Sequence, residues 1–345
     1  MEARPQIVKP APPAIYLACW TCKSYDLKVF RGTPEVFRPK NPILTCIWTY
    51  TRVLTRCSGL RQNMMFFLNS KMQWFRFSTL VLLAAALFIY LIRSVRNLQF
   101  WLLYYPSSSA PSVESLRANN VKLWKSSGAD YRGVVAANEV GLGKGTLVVF
   151  HGNAGAALDR IYYLYLPGAL SYRVILAEYP AYGGRKGKLG EKEFVSDAKE
   201  TIRLAFDEYG GPLFLLGESM GCGVAAAAAA EMPARVNGVI LITPWDTLAS
   251  IAQSKFPIFP VRLFLQDRYD NTGNLASFNG RIAVVGAARD EVIPIRHAGN
   301  LYESLPGTSK NMWTIQGAGH NDWYTYVNEI WWKEIMDFVS GNNMQ

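Results

Sequence analysis

Short apolar runs recur along the second two-thirds of this chain. They fall at Val121–Lys125, Tyr131–Ala136, Thr146–Phe150, Arg173–Ala177, Leu213–Leu216, Val239–Ile242, Ile282–Gly286 and Met312–Ile315. Each has strand length and reads as a buried strand. Longer stretches alternate with the later runs. Glu193–Tyr209 and Trp323–Val339 are the clearest predicted helices, and Gly223-Val224 followed by alanines 225–230 predicts another, tightly packed one. Strands that alternate with helices predict an α/β fold: a mostly parallel, eight-stranded sheet with helices on both faces. In such folds the site lies at the carboxyl ends of the strands. The hydrophobic share of 50% supports a substantial core.

A different pattern precedes this region. Phe77–Ile92 is uncharged, mostly apolar and bounded by Arg76 and Arg93. Sixteen residues at about 1.5 Å each reach roughly 24 Å, and snorkelling arginines extend that toward a hydrocarbon core of about 30 Å. No small-x-small cleavage site follows it, so the expectation is an uncleaved signal-anchor helix over 72–96, in the membrane through residues 77–92. Phe100, Trp101, Tyr104 and Tyr105 then suit a membrane interface. Lys71, Arg76 and the charges before them outnumber Arg93 and Arg96, which predicts a single pass with the large domain on the non-cytoplasmic side. Pro106–Pro111 reads as a short linker or turn cluster, and residues 97–340 as the main domain. Residues 1–71 show no sustained periodicity and are expected to be a poorly ordered, basic extension. Met72-Gln73-Trp74-Phe75-Arg76 would open an ordinary signal anchor, so translation is expected to begin at or near Met72, or at Met64.

Candidate chemistry centres on Gly217-Glu218-Ser219-Met220-Gly221, a G-x-S-x-G motif between a predicted strand and a predicted helix. Strand, sharp turn, helix lifts a serine hydroxyl to the top of a sheet, and glycines at 217 and 221 remove side chains that would clash there. A serine needs a base, and the base needs a partner that holds its tautomer. The three histidines are His151, His297 and His320. His320, in a glycine-rich loop past the strand Met312–Ile315, is the expected base; His297, at a helix start, is expected to be a structural or surface histidine. Asp290, past Ile282–Gly286, is the expected acid. Its neighbour Glu291 should point elsewhere, and its competitor Asp246 reads as a helix cap. The oxyanion donors are expected to be the backbone N–H groups of Met220 and Asn153, with Ala154 the alternative to Asn153. His151, Gly152 and Gly155 support that loop, His151 by bracing it.

His151-Gly152-Asn153-Ala154-Gly155, then the serine motif, then Asp290, then Gly319-His320 resembles the α/β-hydrolase superfamily, and more closely its membrane-anchored hydrolase-domain members. Glu178-Tyr179-Pro180-Ala181-Tyr182-Gly183-Gly184 and Leu265-Gln266-Asp267-Arg268-Tyr269-Asp270 match further. The basic stretch Arg185-Lys186-Gly187-Lys188 departs from that pattern. The resemblance covers residues 97 to 340. It implies the α/β-hydrolase fold with a short cap insertion at 244–280, and a serine esterase or thioesterase acting on a small ester, lipid or acylated substrate. A prolyl-oligopeptidase-like serine peptidase and a non-catalytic scaffold are the alternatives. In the cap, Phe256-Pro257-Ile258-Phe259-Pro260 and Leu263-Phe264-Leu265 either line an acyl pocket or pack on surrounding helices. Asp267–Asp270 reads as a structural ion-pair turn.

Charge and cysteines narrow this reading. The net charge is +10, but residues 1–92 hold 12 Lys/Arg against 3 Asp/Glu, and the remainder 24 against 23. A near-neutral main domain argues against a basic nucleic-acid-binding face, so no nucleic-acid partner is expected. Cys19-x-x-Cys22 with Cys46 and Cys57 fits no compact metal module, and Cys222 reads as a packing residue. No metal and no organic cofactor is expected.

Overall fold

A computed structural model describes residues 42–125, 130–138, 143–307 and 309–342. The chain divides into two compact units, Met1–Leu83 and Ala84–Gln345. Helix α1, Pro42–Leu103, passes through both. Pro42 is its first residue, where proline's fixed φ and missing N–H suit a helix start. Residues 42–71, expected to be poorly ordered, are therefore helical. No proline interrupts the helix once it has begun. Within it, Cys57–Leu103 is long and apolar enough to cross a membrane, with its apolar window unburied. Cys19 and Cys22 lie outside the described residues. Among the described residues no group of His, Cys, Asp and Glu is placed to hold a metal ion.

The second unit is built on one eight-stranded sheet. Its strands are β1 (Val121–Trp124), β2 (Gly133–Ala136), β3 (Thr146–Phe150), β4 (Arg173–Ala177), β5 (Leu213–Glu218), β6 (Gly238–Ile242), β7 (Arg281–Ala287) and β8 (Lys310–Ile315). Their order is β8-β7-β6-β5-β3-β4-β2-β1. All pairings from β4 through β8 are parallel, and β2 runs antiparallel to β1 and β4. Every expected strand is present within a few residues of its expected ends.

The apolar runs are continuous because both faces of the central strands are covered. Successive side chains on a strand point to opposite faces. Val148, Phe150, Leu215, Val239, Leu241 and Val284 enter one core layer, while Leu147, Val149, Phe214, Leu216, Ile240 and Val285 enter the other. Helices α2 (Val113–Ala118) and α3 (Tyr162–Ala169) come first after α1; α4 (Glu191–Tyr209) and α5 (Met220–Glu231) close the first layer, using Phe194, Ala198, Ile202 and the alanines. Helix α9 (Glu329–Ser340) closes the second with Trp332, Ile335, Met336 and Val339. All residues of α5 from Met220 to Ala229 are buried, which explains its composition: alanine side chains let the helix axis approach the sheet closely.

Two predicted elements need correction. Trp323–Val339 is not one helix. A short 3-10 turn at Trp323–Tyr326 is followed by α9, and Asn328 caps α9 by accepting the Trp331 N–H at 3.0 Å. Pro106–Pro111 is not a free linker at its start. Tyr105 and Pro106 pair in parallel with Ala154 and Gly155, and the Ser107 N–H donates to Gly155 O at 2.9 Å.

The insertion between β6 and β7 carries helix α6 (Leu248–Lys255), a 3-10 turn at Val261–Leu263 and helix α7 (Asn271–Leu275). Its Ile258 is 99% exposed and Leu263 75%, so neither packs on the surrounding helices. The Asp267 turn is held by hydrogen bonds. The Asp267 carboxylate accepts the Tyr104 hydroxyl at 2.6 Å and the Glu191 N–H at 3.1 Å, and Glu191 accepts the N–H groups of Arg268 and Tyr269.

Candidate active site

Strand β5 ends at Glu218 and α5 starts at Met220, leaving Ser219 alone to make the turn. Its backbone sits at φ 54°, ψ −116°, a sparsely populated conformation that costs about 1–3 kcal/mol and must be held by its surroundings. The Ser219 N–H donates to Ile242 O at 2.9 Å, and the Cys222 N–H donates to Ser219 O at 3.0 Å. Glycines make the packing possible. A Cβ on Gly217 would stand 2.5 Å from the Cys222 backbone, and one on Gly221 would stand 2.0 Å from Phe150 O.

The loops after β7 and β8 carry the other two polar groups. Asp290 follows β7, and its Oδ1 accepts the N–H groups of Val292 and Ile293 at 2.9 and 2.7 Å. Its Oδ2 lies 2.7 Å from His320 Nδ1. His320 Nε2 lies 3.0 Å from Ser219 Oγ. A carboxylate accepts, so Nδ1 carries the proton and Nε2 presents its lone pair to the serine hydroxyl. The Arg289 N–H donates to Ala318 O at 2.8 Å and ties the two loops together. Glu291 Oε2 accepts the His320 backbone N–H at 3.4 Å. The structure thus brings Ser219, Asp290 and His320 together although they are far apart in sequence.

His297 and Asp246 form a separate pair. His297 Nδ1 is 3.0 Å from Asp246 Oδ1, and Asp246 also accepts the Thr247 N–H and the Ser250 hydroxyl. Burial alone would raise the Asp246 pKa, but these hydrogen bonds and His297 outweigh it and lower it. The residue that caps α6 is Thr247, not Asp246.

The loop after β3 lies beside the serine. Met220 is the first residue of α5, so its N–H has no acceptor within the helix. Around Asn153, the side-chain Nδ2 donates to Leu103 O at 2.9 Å, and the carbonyl accepts the Tyr105 N–H at 2.9 Å and the Tyr182 hydroxyl at 2.7 Å. Gly152 leaves the space next to Ser219 open: a Cβ there would lie 3.6 Å from Ser219 Cβ. Gly155 has φ 86°, and a Cβ would meet the Asp159 carboxylate at 2.3 Å. Buried His151 braces the loop, with Nδ1 2.7 Å from Gly152 O and Nε2 3.0 Å from Glu178 Oε1. Tyr179 donates its hydroxyl to His151 O at 2.8 Å. The end of α1 is thereby stitched to the loop that borders the serine.

Sequence reasoning missed the ion pair that flanks the serine. Glu218, the variable position of the motif, is buried and accepts from Arg160 Nε at 2.8 Å, the Tyr162 hydroxyl at 2.7 Å and the Tyr163 hydroxyl at 2.9 Å. Burial pushes its pKa up, but the Arg160 charge and the three hydrogen bonds prevail, and the net shift is downward. Burial raises the Tyr162 and Tyr163 hydroxyls, reinforced by the Glu218 charge, so both remain donors. The neighbouring Cys222 thiol is fully buried and pushed up chiefly by burial, which suits packing and not nucleophilic chemistry.

Glu218→Gln is expected to cost about 1–3 kcal/mol, because it removes the charge partner of a partly buried guanidinium. The sign with pH follows from the lowered value. The ionised Glu218 contributes fully above the ordinary glutamate value of 4.5, and this contribution is lost as pH falls through its lower folded value. Acid unfolding of wild type and Glu218→Gln should therefore converge below about pH 4.5. A constant gap down to the acid midpoint would refute this.

The fold and the site's geometry define a class, and comparison with known proteins agrees. A sequence profile described as alpha/beta hydrolase fold matches residues 145–276. The chain has the α/β-hydrolase fold. An uncharacterised protein of Mycobacterium tuberculosis is 26% identical over 227 residues, covering 64% of this chain and 80% of the relative. An uncharacterised membrane protein of Saccharomyces cerevisiae is 26% identical over 205 residues, covering 56% and 70%. Among solved structures, an esterase of Pyrococcus furiosus shares the fold at a TM-score of 0.52 and 16% identity, over 69% of this chain and 98% of that one.

Proposed function

We propose that the chain is a membrane-anchored serine hydrolase that cleaves carboxylic esters or thioesters through an acyl-enzyme. The observation that carries this reading is the unbroken hydrogen-bonded line from Asp290 through His320 to Ser219 at the carboxyl end of the sheet. Ser219 Oγ attacks the substrate carbonyl carbon while His320 Nε2 takes its proton. Asp290 holds the imidazole and stabilises the imidazolium that forms. The N–H groups of Met220 and Asn153 donate to the oxyanion, and each such donor is worth about 2.7–4 kcal/mol. His320 then protonates the departing alkoxide or thiolate. Water attacks acyl-Ser219 while His320 takes its proton, and His320 returns that proton to Ser219 Oγ as the acid leaves. No step calls for a metal or an organic cofactor.

The anchor reading is supported by the apolar stretch Cys57–Leu103 and by the yeast membrane relative. The basic excess before residue 77 favours a single pass with the hydrolase on the non-cytoplasmic side. A site tethered at a bilayer favours lipid or acylated-protein substrates by proximity. The P. furiosus esterase offers an ester-cleaving precedent on the same fold.

Treating the full chain with a fluorophosphonate probe tests this reading. One covalent adduct is expected, on the peptide that contains Ser219, together with hydrolysis of p-nitrophenyl esters. A folded chain that takes no probe, or takes it elsewhere, sinks the reading.

A further inference from the structure

We propose that the cap segment 256–264 is a second membrane contact, seated on the phosphate-bearing headgroup surface of the bilayer beside the anchor helix. This rests on the reading that α1 is a membrane anchor, and it extends that reading to a part of the chain far from α1 in sequence.

The segment presents apolar groups outward. Ile258 is 99% exposed, Leu263 75% and Phe256 52%. Phe259 stacks on Phe264 with ring centroids 4.8 Å apart, which stiffens the loop without covering Ile258. Outward apolar side chains on a short loop mark an interaction surface.

The fold carries this loop to the point where the anchor ends. Gln99 Oε1 accepts the Gln266 N–H at 2.7 Å, and Gln99 Nε2 donates to Asp267 O at 3.2 Å. Tyr104 donates to the Asp267 carboxylate at 2.6 Å. The cap is therefore bolted to the last turns of α1, where Trp101 is 79% exposed. Gln99 is seven residues past Ile92, about 10 Å along a helix. With the hydrocarbon edge near Ile92, the junction between cap and helix falls at about headgroup depth.

Charge identifies the surface. Lys188, Lys255, Arg262 and Arg268 are exposed around this junction. Gly190, at the end of the basic stretch, lies against Phe100 and Asp267. Within segments 185–193 and 255–268 the exposed acid is Glu193. Apolar tips ringed by cations match the phosphate layer of a bilayer face, where basic side chains meet headgroups and apolar ones enter the boundary below. The opposite end of the cap reaches the site: the Tyr269 ring packs on Gly223, four residues after Ser219.

The test uses the full chain in vesicles of phosphatidylcholine and phosphatidylglycerol. A cysteine at 258 (Ile258→Cys) carries an environment-sensitive fluorophore. Identically labelled wild type supplies the background, and Glu231→Cys, at an exposed site on the far end of α5, is the control. Lipid-borne nitroxides are expected to quench the probe at 258 and leave the probe at 231 unaffected. A chain that floats with the vesicles but whose 258 probe answers only to aqueous quenchers overturns the cap contact and leaves the anchor standing. A chain that does not float overturns both. Ile258→Asp with Leu263→Asp is expected to lower hydrolysis of a vesicle-borne long-chain ester at least about tenfold, the factor that 1.4 kcal/mol makes, with hydrolysis of a soluble short ester unchanged. Equal loss on both esters, or no loss on either, also counts against the proposal. The fluorescence result stands whether or not the hydrolase reading does.

Discussion

Ser219→Ala is expected to lower kcat by roughly 10⁶ while leaving the thermal midpoint close to that of wild type. The two halves of this expectation have different physical origins. Activity is expected to fall because the Ser219 hydroxyl faces His320 Nε2 at 3.0 Å, and alanine leaves the imidazole without that hydroxyl to activate. Residual turnover would come from water in a site that still holds the proposed oxyanion donors. Stability holds because the turn is set by backbone and glycine packing: the Ser219 N–H bond to Ile242 O and the close approaches at Gly217 and Gly221 involve no Ser219 side-chain atom. His320→Ala should fall about as far, and the double variant little further, because the groups act as a unit. Rates on p-nitrophenyl esters beside thermal unfolding check this. A loss of only about tenfold in Ser219→Ala would mean that the nucleophile lies elsewhere.

Why these residues were legible from sequence, and others not, follows from how each is specified. The strands could be read because both faces of the sheet are covered, so strands such as Leu147–Phe150 and Val239–Ile242 are uniformly apolar and stand out against polar connections. Ser219 could be read because its turn needs glycines at fixed offsets. Asp290 and His320 followed from their places after successive strands. The Glu218–Arg160 pair could not be read. Its partners lie 58 residues apart, and nothing local to either names the other. The same holds for Tyr182, whose hydroxyl holds Asn153 O, and for Leu103, whose carbonyl takes the Asn153 side chain. The split of Trp323–Val339 was legible in principle. Asn328, three residues before Trp331, is a cap signal, but apolar residues continue on both sides of it at Trp323, Tyr326 and Ile330. In the Asp267 turn, adjacent acidic and basic residues suggested ion pairing. The carboxylates instead satisfy backbone N–H groups and a tyrosine, which a sequence cannot distinguish from salt bridges.

The largest structural effect expected is that of Gly221→Ala, a single added methyl group. A Cβ there would lie 2.0 Å from Phe150 O and 2.7 Å from His151 O. Both are backbone atoms at the end of β3, so no side-chain rotation relieves the clash. Helix α5 would have to withdraw from the sheet or β3 would have to shift, and the first residues moved are Ser219 on one side and the His151–Asn153 loop on the other. Ordinary overpacking costs about 1–3 kcal/mol; contact with fixed backbone places this substitution at or beyond the upper end. A loss of about 3 kcal/mol lowers the thermal midpoint of a domain this size by roughly 6–12 °C. Activity should fall with it, since Ser219 and the His151–Asn153 loop separate. The contrast is Gly299→Ala, in helix α8 (Arg296–Ser304), where nothing lies within 4 Å of the added carbon. There the methyl group meets no clash and reduces the freedom of the unfolded chain, so a gain of about 0.5–1 kcal/mol is expected. Thermal unfolding of the two variants in parallel separates a steric origin from a general intolerance of glycine replacement. If Gly221→Ala melts with wild type, the close packing of α5 on β3 is wrong, and with it the geometry that sets Ser219 beside Asn153.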